Sequence, residues 1–410
     1  MEIIDLSAIL ITLAALFSFV NYRYIKLPPV IGVMILGMVF SLMLLLLQIP
    51  FPHAGETVKQ AILEIDFNKT LMHGMLSFLL FAGALHVNLN DLVEQKWVVG
   101  ILATIGVASS TLIVGTLSWL LLYCLDINLS FIYCLLFGAL ISPTDPIAVL
   151  GILKKAKVPK SLEVKISGES LFNDGVGVVI FIVISGIAAG SSHVDGGSIF
   201  LLFIEEAVGG LLLGLVLGFS AYKLLSLVDD YKVEVLLSLA IVIGGDSLAR
   251  AIHTSGPIAI VVAGLFIGNK GRLFAMSDNT RMRLDNFWEL LDEILNALLF
   301  VLIGLELSVL PFNKGIIFAG ALMIPVVLFS RFTAVGLPVN LLKLKHEFSP
   351  NIVKIMTWGG LRGGISVALA LSIPNGEARA IILPITYIIV VFSIIFQGLT
   401  IGPLVKKLCR

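Results

Sequence analysis

One stretch organises the chain: Lys165-Ile-Ser-Gly-Glu-Ser-Leu-Phe-Asn-Asp-Gly-Val-Gly-Val-Val-Ile-Phe181. It opens a long apolar run, yet it carries four polar side chains within its first turns. On a helix, Ser170 and Asp174 share a face because they are four residues apart, and Glu169 and Asn173 share the adjoining one. An ionised side chain inside a membrane span costs about 2.5–3.5 kcal/mol. The stretch therefore predicts a functional Asp174 in a membrane helix, whereas Ser170 and Asn173 taken alone would fit helix-to-helix hydrogen bonding equally well.

The composition excludes a soluble globular protein. Of 410 residues, 58% are hydrophobic and 13% charged, with a mean hydropathy of +1.06, whereas soluble domains are about 45–50% apolar and about 25% charged. The formal net charge is +0 and no basic tract suggests nucleic acid as a partner. Cys124, Cys134 and Cys409 have no metal or redox spacing, and no cofactor is expected. The partner expected is the lipid bilayer, and the N-terminus lacks the basic region of a cleaved signal peptide.

A span length of about 20 residues predicts an all-α polytopic membrane protein with about 13 transmembrane helices in a single domain, 1–410. The predicted spans are 3–22, 28–48, 70–88, 97–124, 129–153, 164–190, 198–227, 232–251, 255–269, 293–311, 314–342, 352–373 and 380–405. The longest connections are 49–69 and the amphipathic segment 270–292, which contains Trp288.

Lysine and arginine placement sets the orientation. With the N-terminus outside, 20 of the 27 basic residues face the cytoplasm and five face the other side. The positive-inside rule therefore predicts a cytoplasmic C-terminus, in the plasma (inner) membrane of a cell. The remaining two, Arg331 and Arg362, lie inside predicted spans. At about 1.5 Å per helical residue, they and the two aspartates Asp145 and Asp174 lie roughly 12–18 Å from cytoplasmic lysines, near the midplane of a core about 30 Å thick.

Two predicted spans contain helix-breaking sequences. Ser142-Pro-Thr-Asp-Pro146 puts two prolines around Asp145, and Trp358-Gly-Gly-Leu-Arg-Gly-Gly364 puts four glycines around Arg362. Asp145 would cap a restarted half-helix that has Pro146 in its first turn. Arg362 would offset the negative end of a half-helix ending near Gly359. For both residues, a capping role and a direct ligand role remain open.

The breaks fall in the fifth and twelfth predicted spans, at equivalent positions of two sets of six helices. Repeat one covers about 1–190, a linking helix about 198–227, and repeat two about 232–410, which inverts the second set relative to the first. Interrupted helices at matching positions of inverted repeats mark the substrate site of secondary transporters.

Two other function classes deserve comparison. An intramembrane protease could use Asp145 and Asp174 as a catalytic pair, but that function would leave Arg331, Arg362 and the repeat symmetry unexplained. A cation channel would need a ring or filter of repeated ligands, which this sequence does not contain. A transporter, rather than an enzyme, is therefore predicted.

Three motifs carry a family resemblance: Pro143-Thr-Asp-Pro146, Gly168-Glu-Ser-Leu-Phe-Asn-Asp-Gly175 and Trp358-Gly-Gly-Leu-Arg-Gly-Gly364. They resemble the sodium/proton antiporters of the bacterial NhaP type, which are related to the eukaryotic sodium/hydrogen exchangers. The match continues through Thr254-Ser-Gly-Pro257 and Asn296-Ala-Leu-Leu-Phe300 to Ile303-Gly-Leu-Glu306. The resemblance implies a 13-helix fold, a homodimer, and exchange of Na⁺ or Li⁺ for protons in pH homeostasis; a K⁺/H⁺ antiporter of the same fold is the alternative.

The resemblance also implies site roles. Asp174 would be the carboxylate for which cation and proton compete, aided by Ser170, Asp145 and the backbone near Thr144, with Asn173 also in the cation- and proton-binding set. Asn173 would mark the electroneutral branch, and Glu169 would pair with Arg331. Many relatives have an acidic residue at the position of Ala82, so the resemblance supplies no ligand from the third helix here.

The midplane charges predict the stoichiometry. Three carboxylates (Asp145, Asp174 and Glu169) and two guanidinium groups (Arg331 and Arg362) leave one negative charge, which one Na⁺ or one proton would neutralise. Neutral loaded forms on both halves of an alternating-access cycle predict electroneutral 1:1 exchange.

Overall fold

A computed structural model describes residues 3–47, 75–145, 149, 159–190, 196–272, 275–307, 310, 313–343 and 348–408. Within these ranges the regular structure is helical, apart from one isolated β-bridge between Asp145 and Leu361. Helices of the N-terminal half are α1 Ile3–Val20, α2 Pro29–Leu47, α3 Leu76–Leu85, α4 Leu89–Glu94, α5 Lys96–Ile101, α6 Val107–Cys124, α7 Phe131–Ile141 and α8 Lys160–Ala188. The following helices are α9 Gly196–Leu225, α10 Tyr231–Ala251, α11 Gly256–Phe266, α12 Asp278–Glu306, α13 Lys314–Leu342, α14 Ile352–Trp358, α15 Gly364–Ser372, α16 Glu377–Phe392 and α17 Gly398–Leu408.

Four π-helical turns extend or join these helices: Asn21–Ile25, Leu102–Gly106, Ile267–Gly271 and Ser393–Gln397. Two of them sit inside longer helices, between α5 and α6 and between α16 and α17. Such π turns are common at functional sites because they re-aim side chains.

Seven helical segments of the described chain are long and apolar enough to cross a membrane: Ser7–Ile25, Pro29–Leu46, Lys96–Cys124, Lys160–Ala188, Ile204–Leu225, Lys314–Leu342 and Glu377–Leu408. Shorter apolar helices are Leu76–Leu85, Phe131–Ile141 and Gly256–Gly271. The chain is therefore an all-α, multi-pass membrane protein, as predicted. The total of 13 spans and the division into repeats remain predictions.

Helix starts follow local sequence signals. Asp230 accepts a hydrogen bond from Lys232 N at the start of α10, and Asn313 accepts one from Ile316 N at the start of α13. Ser277 accepts one from Thr280 N and begins α12. These side chains satisfy backbone N–H groups that have no partner within the helix.

The predicted start of the tenth span at residue 293 was wrong, because α12 begins at Asp278. Its first half carries charges on one face, which lower its hydropathy below that of a membrane span. The opposite face is anchored by Trp288, which is fully buried, lies 4.6 Å from the Phe81 ring and donates to Ser238 Oγ at 3.0 Å. The amphipathic connection of the sequence prediction is thus largely helix.

Helix α8 lies at the centre of the packing and contacts α6, α7, α9, α11 and α15. The largest apolar core joins buried residues of α1, α2, α7, α12, α13, α15 and α16. Glycines allow close approach around α8: a Cβ at Gly177 would overlap Pro143 Cγ. The polar stretch of α8 is thereby held directly against the break that follows α7.

Candidate functional site

The two predicted helix breaks are present and meet each other. Helix α7 ends at Ile141 and α14 ends at Trp358, and α15 begins at Gly364. Asp145 N donates to Leu361 O at 2.8 Å, so the two non-helical segments pair as a short antiparallel bridge. Pro146 and most of the second half of the fifth predicted span lie outside the described residues. Non-helical backbone at membrane depth requires such internal partners.

The second break receives its partners from the π turn between α16 and α17. Ser393 Oγ accepts a hydrogen bond from Arg362 N at 2.9 Å, and Gln397 Nε2 donates to Trp358 O at 3.0 Å. A π turn adds one residue to the helix, and here its first and last side chains, those of Ser393 and Gln397, both reach the unwound segment. These two residues were not predicted from the sequence.

Arg362 reaches across to the other break. Its Nη1 donates to Pro143 O at 2.9 Å and to Ser142 O, at the C-terminal end of α7. The prediction had placed this cation at the end of its own half-helix near Gly359. The guanidinium instead serves the negative dipole end and the unpaired carbonyls of the partner helix.

Thr144 connects the first break to α8. Its N–H donates to Asn173 Oδ1 at 3.3 Å, and Asn173 Nδ2 donates to Thr144 Oγ1 at 2.9 Å. The Ser170 hydroxyl lies 3.2 Å from Thr144 Oγ1. Asn173 thus uses both polar groups of its side chain to hold the break, while the hydroxyls of Ser170 and Thr144 lie next to each other.

Asp174 lies four residues after Ser170 on α8, on the same helix face, and is only 7% exposed. The carboxylates that act on it electrostatically are Asp145 and Glu169. Among the described residues, no donor is hydrogen-bonded to the Asp174 carboxylate. Carboxylate and hydroxyl oxygens are the ligands that hard cations prefer, and Asp174, Asp145, Ser170 and Thr144 supply oxygens of this chemical type.

Glu169 and Arg331 form a two-pronged ion pair between α8 and α13. Arg331 Nη2 donates to Glu169 Oε2 at 2.7 Å, and Nη1 donates to Oε1. Their side chains are 1% and 7% exposed, in that order. Because Glu169 is the residue before Ser170, this pair fixes the rotation of α8 relative to α13. The structure places four predicted site residues on α8, namely Glu169, Ser170, Asn173 and Asp174, and it places Thr144 and Asp145 at the break that this helix contacts.

A chain of serines supports the first break and was missed at the sequence level. Ser142 Oγ donates to Ser110 Oγ at 2.9 Å, and the Ser110 and Ser330 hydroxyls lie 3.2 Å apart. All three are buried, and they link α6, α7 and α13. Single serines in apolar runs are common in membrane helices, so no sequence pattern marked them.

Asp292 was also missed, since it lay in the predicted connection 270–292. The structure places it on α12, half-buried, with Asp145 acting on it electrostatically. Asn296, one turn later, is buried and donates through Nδ2 to Asp292 O at 2.9 Å. Within the described residues, Asn296 Oδ1 has no hydrogen-bond partner. Asp292 and Asn296 are four residues apart, and this spacing was the sequence signal that could have placed both on one face of a helix.

Ala82 lies in an apolar cluster with Phe81 and Trp288 and is 3% exposed. Its carbonyl oxygen is 2.8 Å from His86 Nδ1. The third predicted helix therefore presents packing rather than an oxygen ligand at this position.

Comparison with known proteins agrees with this geometry. A family model described as "Sodium/hydrogen exchanger, transmembrane" matches residues 9–407. The chain belongs to this family. The resemblance inferred from the three motifs is thereby confirmed.

Two relatives and one solved structure extend the comparison. The Na(+)/H(+) antiporter NhaP of Pseudomonas aeruginosa is 50% identical over 410 residues, covering 99% of this chain and 97% of that protein. The Na(+)/H(+) antiporter NhaH of Halobacillus aidingensis is 36% identical over 99% of this chain and 97% of its own length. The sodium proton antiporter MjNhaP1 from Methanocaldococcus jannaschii has the same fold, with a TM-score of 0.79, 21% identity and full coverage of both chains.

Gly363 provides a test of the Asp145 position. A Cβ at residue 363 would lie 2.5 Å from Asp145 Oδ2 and 2.7 Å from its Cβ, although the backbone at φ −108° suits any residue. We expect Gly363→Ala to displace Asp145, at about 1–2 kcal/mol, and to raise the half-saturating cation concentration about five- to thirtyfold. Gly100→Ala is the matched control, because nothing lies within 4 Å of its added Cβ. Equal half-saturation in both variants, measured in proteoliposomes, would show that Asp145 does not bind the cation.

Proposed function

We propose that this chain is a secondary transporter that exchanges Na⁺ for protons across a cell membrane, with Asp174 as the exchange site. The observation that carries the proposal is the buried Asp174 carboxylate on α8, the helix that contacts the first of two paired helix breaks, with no hydrogen-bond donor on it among the described residues. Membership of the exchanger family and the activities named for both relatives support it.

The mechanism is a competition for one carboxylate. Burial disfavours an ionised group, so Asp174 gains free energy by taking up either a proton or a cation. When a sodium ion is bound, Ser170, Thr144 and Asp145 would supply the remaining oxygen ligands. When a proton is bound, the carboxyl group is neutral and those oxygens lose the charge that holds the cation. The two substrates therefore exclude each other.

The crossed breaks suit alternating access. A site built from helix ends and unwound backbone lets one group of helices rock against another while the ligand set stays intact. Arg362 and the Asp145–Leu361 bridge tie α7 to the α14–α15 break, so these segments would move as one unit. The N-terminus would face outside and the C-terminus the cytoplasm, in the plasma (inner) membrane.

Electroneutral 1:1 exchange follows from the ionisable groups of the site. The three carboxylates and two guanidinium groups leave one negative charge, which one Na⁺ or one proton neutralises. Asp292, which is half-buried on α12, is not counted among these five groups. Both loaded forms then cross the membrane neutral. Li⁺ fits the same oxygen ligands, and functional assembly as a homodimer completes the proposal.

The stoichiometry is tested in proteoliposomes with an imposed sodium gradient. The membrane potential is clamped with valinomycin and potassium, and the internal pH is followed to equilibrium. We expect the final pH difference to match the sodium gradient at every potential, because a neutral cycle does not feel the potential. A cycle moving one net charge would gain about 2.3 kcal/mol per 100 mV, so a shift of the equilibrium with potential would contradict 1:1 exchange.

A further inference from the structure

A surface groove lies between the C-terminal end of α13 and the N-terminal end of α14. Its volume is ≈ 390 Å³, within the size range of small-ligand sites. Its lining includes the apolar Phe332 and Leu337, the floor residue Gly336, and the polar Asn340, Lys343 and Lys354. The groove is thus apolar at one end and basic at the other.

The apolar end is open to the surroundings of a membrane helix. Phe332 is 50% and Leu337 64% exposed, and both belong to α13, which is long and apolar enough to cross a membrane. Gly336 forms the floor between them, and a Cβ there would meet only Val353 Cγ1, at 3.5 Å. Gly336 leaves the floor of the groove without a side chain, and the apolar walls suit an acyl chain.

The basic end lies where the helices end. Lys343 caps α13, Lys354 stands in the first turn of α14, and both are exposed. Lys343 Nζ lies 3.4 Å from Asn340 Oδ1. Among the residues the structure describes, which omit 344–347, no carboxylate lies within 4 Å of either ammonium group. The distribution of basic residues puts this end on the cytoplasmic side, where anionic lipids attract lysines.

We propose that this groove binds one anionic phospholipid of the cytoplasmic leaflet. The phosphate lies between Lys343 and Lys354, and an acyl chain runs past Gly336 along Phe332 and Leu337. Charge complementarity selects the headgroup, and the exposed apolar wall selects a lipid over a soluble anion. The site is separate from Asp174 and does not depend on the exchange reaction.

The location gives the lipid a structural role. Helix α13 carries Arg331 one residue before Phe332, and α14 leads directly into the break at Gly359–Gly363. A lipid between these helices contacts both, so it stabilises their packing next to the Glu169–Arg331 pair. Binding is therefore expected to raise the melting temperature of the protein.

The test uses delipidated, detergent-solubilised full-length protein titrated with phosphatidylglycerol, with bound lipid counted by native mass spectrometry and melting followed in parallel. We expect Lys343→Ala/Lys354→Ala to weaken binding about thirtyfold, because each lysine near an anionic lipid contributes about fivefold. Gly336→Leu, which fills the floor, should abolish binding with both lysines present. Lys223→Ala/Lys232→Ala, which removes two other lysines assigned to the cytoplasmic side, is the matched control and should bind as the unmodified protein does.

Several outcomes overturn the proposal. Equal binding of phosphatidylcholine would show that the groove takes any lipid, and competition by inorganic phosphate alone would show a soluble-anion site. Conversion of dimers to monomers by Gly336→Leu would assign the groove to a subunit interface. Unchanged phosphatidylglycerol binding by Gly336→Leu would reject the site even if the double lysine variant did not fold.

Discussion

Replacing Asp174 by Asn is expected to abolish cation/proton exchange and to leave the protein folded. Asn has nearly the same shape, but it takes up no proton at neutral pH and has no negative charge to hold a cation, so the competition that drives the cycle is lost. The described structure shows no hydrogen-bond donor on the Asp174 carboxylate, so its removal leaves no donor stranded. Because a buried, unpaired carboxylate is costly, we expect the melting temperature of Asp174→Asn to stay the same or to rise.

The measurement is sodium-driven proton movement in proteoliposomes containing equal amounts of each variant. Asp126→Asn is the matched control: it makes the same chemical change in an exposed connection and should exchange at the unmodified rate. Retention by Asp174→Asn of more than about a tenth of the unmodified rate, a barrier change under about 1.4 kcal/mol, would remove Asp174 from the role of exchange site. That outcome would leave the lipid site untouched.

The breaks could be predicted because helix-breaking residues have local physical effects. Prolines at 143 and 146 and four glycines within Trp358–Gly364 disfavour a regular helix. Charged residues at membrane depth are costly, so their presence among these helix breakers indicates a function. The sequence predicted that the two breaks lie at equivalent positions of two repeats. It did not predict which residues of the two breaks contact each other. The antiparallel bridge between Asp145 and Leu361 is a tertiary contact that no local pattern specifies.

The contacts of Arg362 show where sequence reasoning ends. Its guanidinium binds the carbonyl of Ser142, 220 residues away in the chain, rather than its own half-helix. The carbonyl groups at the end of α7 and those at the end of α14 carry the same partial charge. Electrostatics alone therefore did not show which of them Arg362 would contact. The length of the arginine side chain and the crossing of the breaks decide the partner. Ser393 and Gln397 were not predicted because their contacts are also tertiary. They reach the second break only because both side chains lie on the π turn.

The start of α12 illustrates a different limit. Charged residues between 278 and 292 lower the hydropathy of this segment, so a rule based on membrane spans ends there. The helix nonetheless continues, because Ser277 caps it and Trp288 packs into a pocket formed by α3 and α10. Asp292 is placed beside the site by that extension. A period-3.6 reading of the segment, instead of its mean hydropathy, would have found the helix.

The second large effect is expected for the Glu169–Arg331 pair. Removing one partner of a buried ion pair strands the other charge, at about 3–5 kcal/mol. Glu169→Ala and Arg331→Ala should therefore each lower the melting temperature strongly. The double variant removes both charges of the pair, so neither is stranded, and we expect it to recover part of the stability that each single variant loses.

A double-mutant cycle on melting in detergent measures this coupling. The control cycle uses Asp91 and Lys160, whose ammonium and carboxylate lie 2.6 Å apart but whose side chains are 25% and 72% exposed. Solvent screens such a pair, and its cycle should show no measurable coupling. Additive losses in the Glu169/Arg331 cycle would reject the pairing. Coupling there, together with exchange retained by the double variant, would show that the pair orients α8 against α13 and takes no part in binding the transported ions.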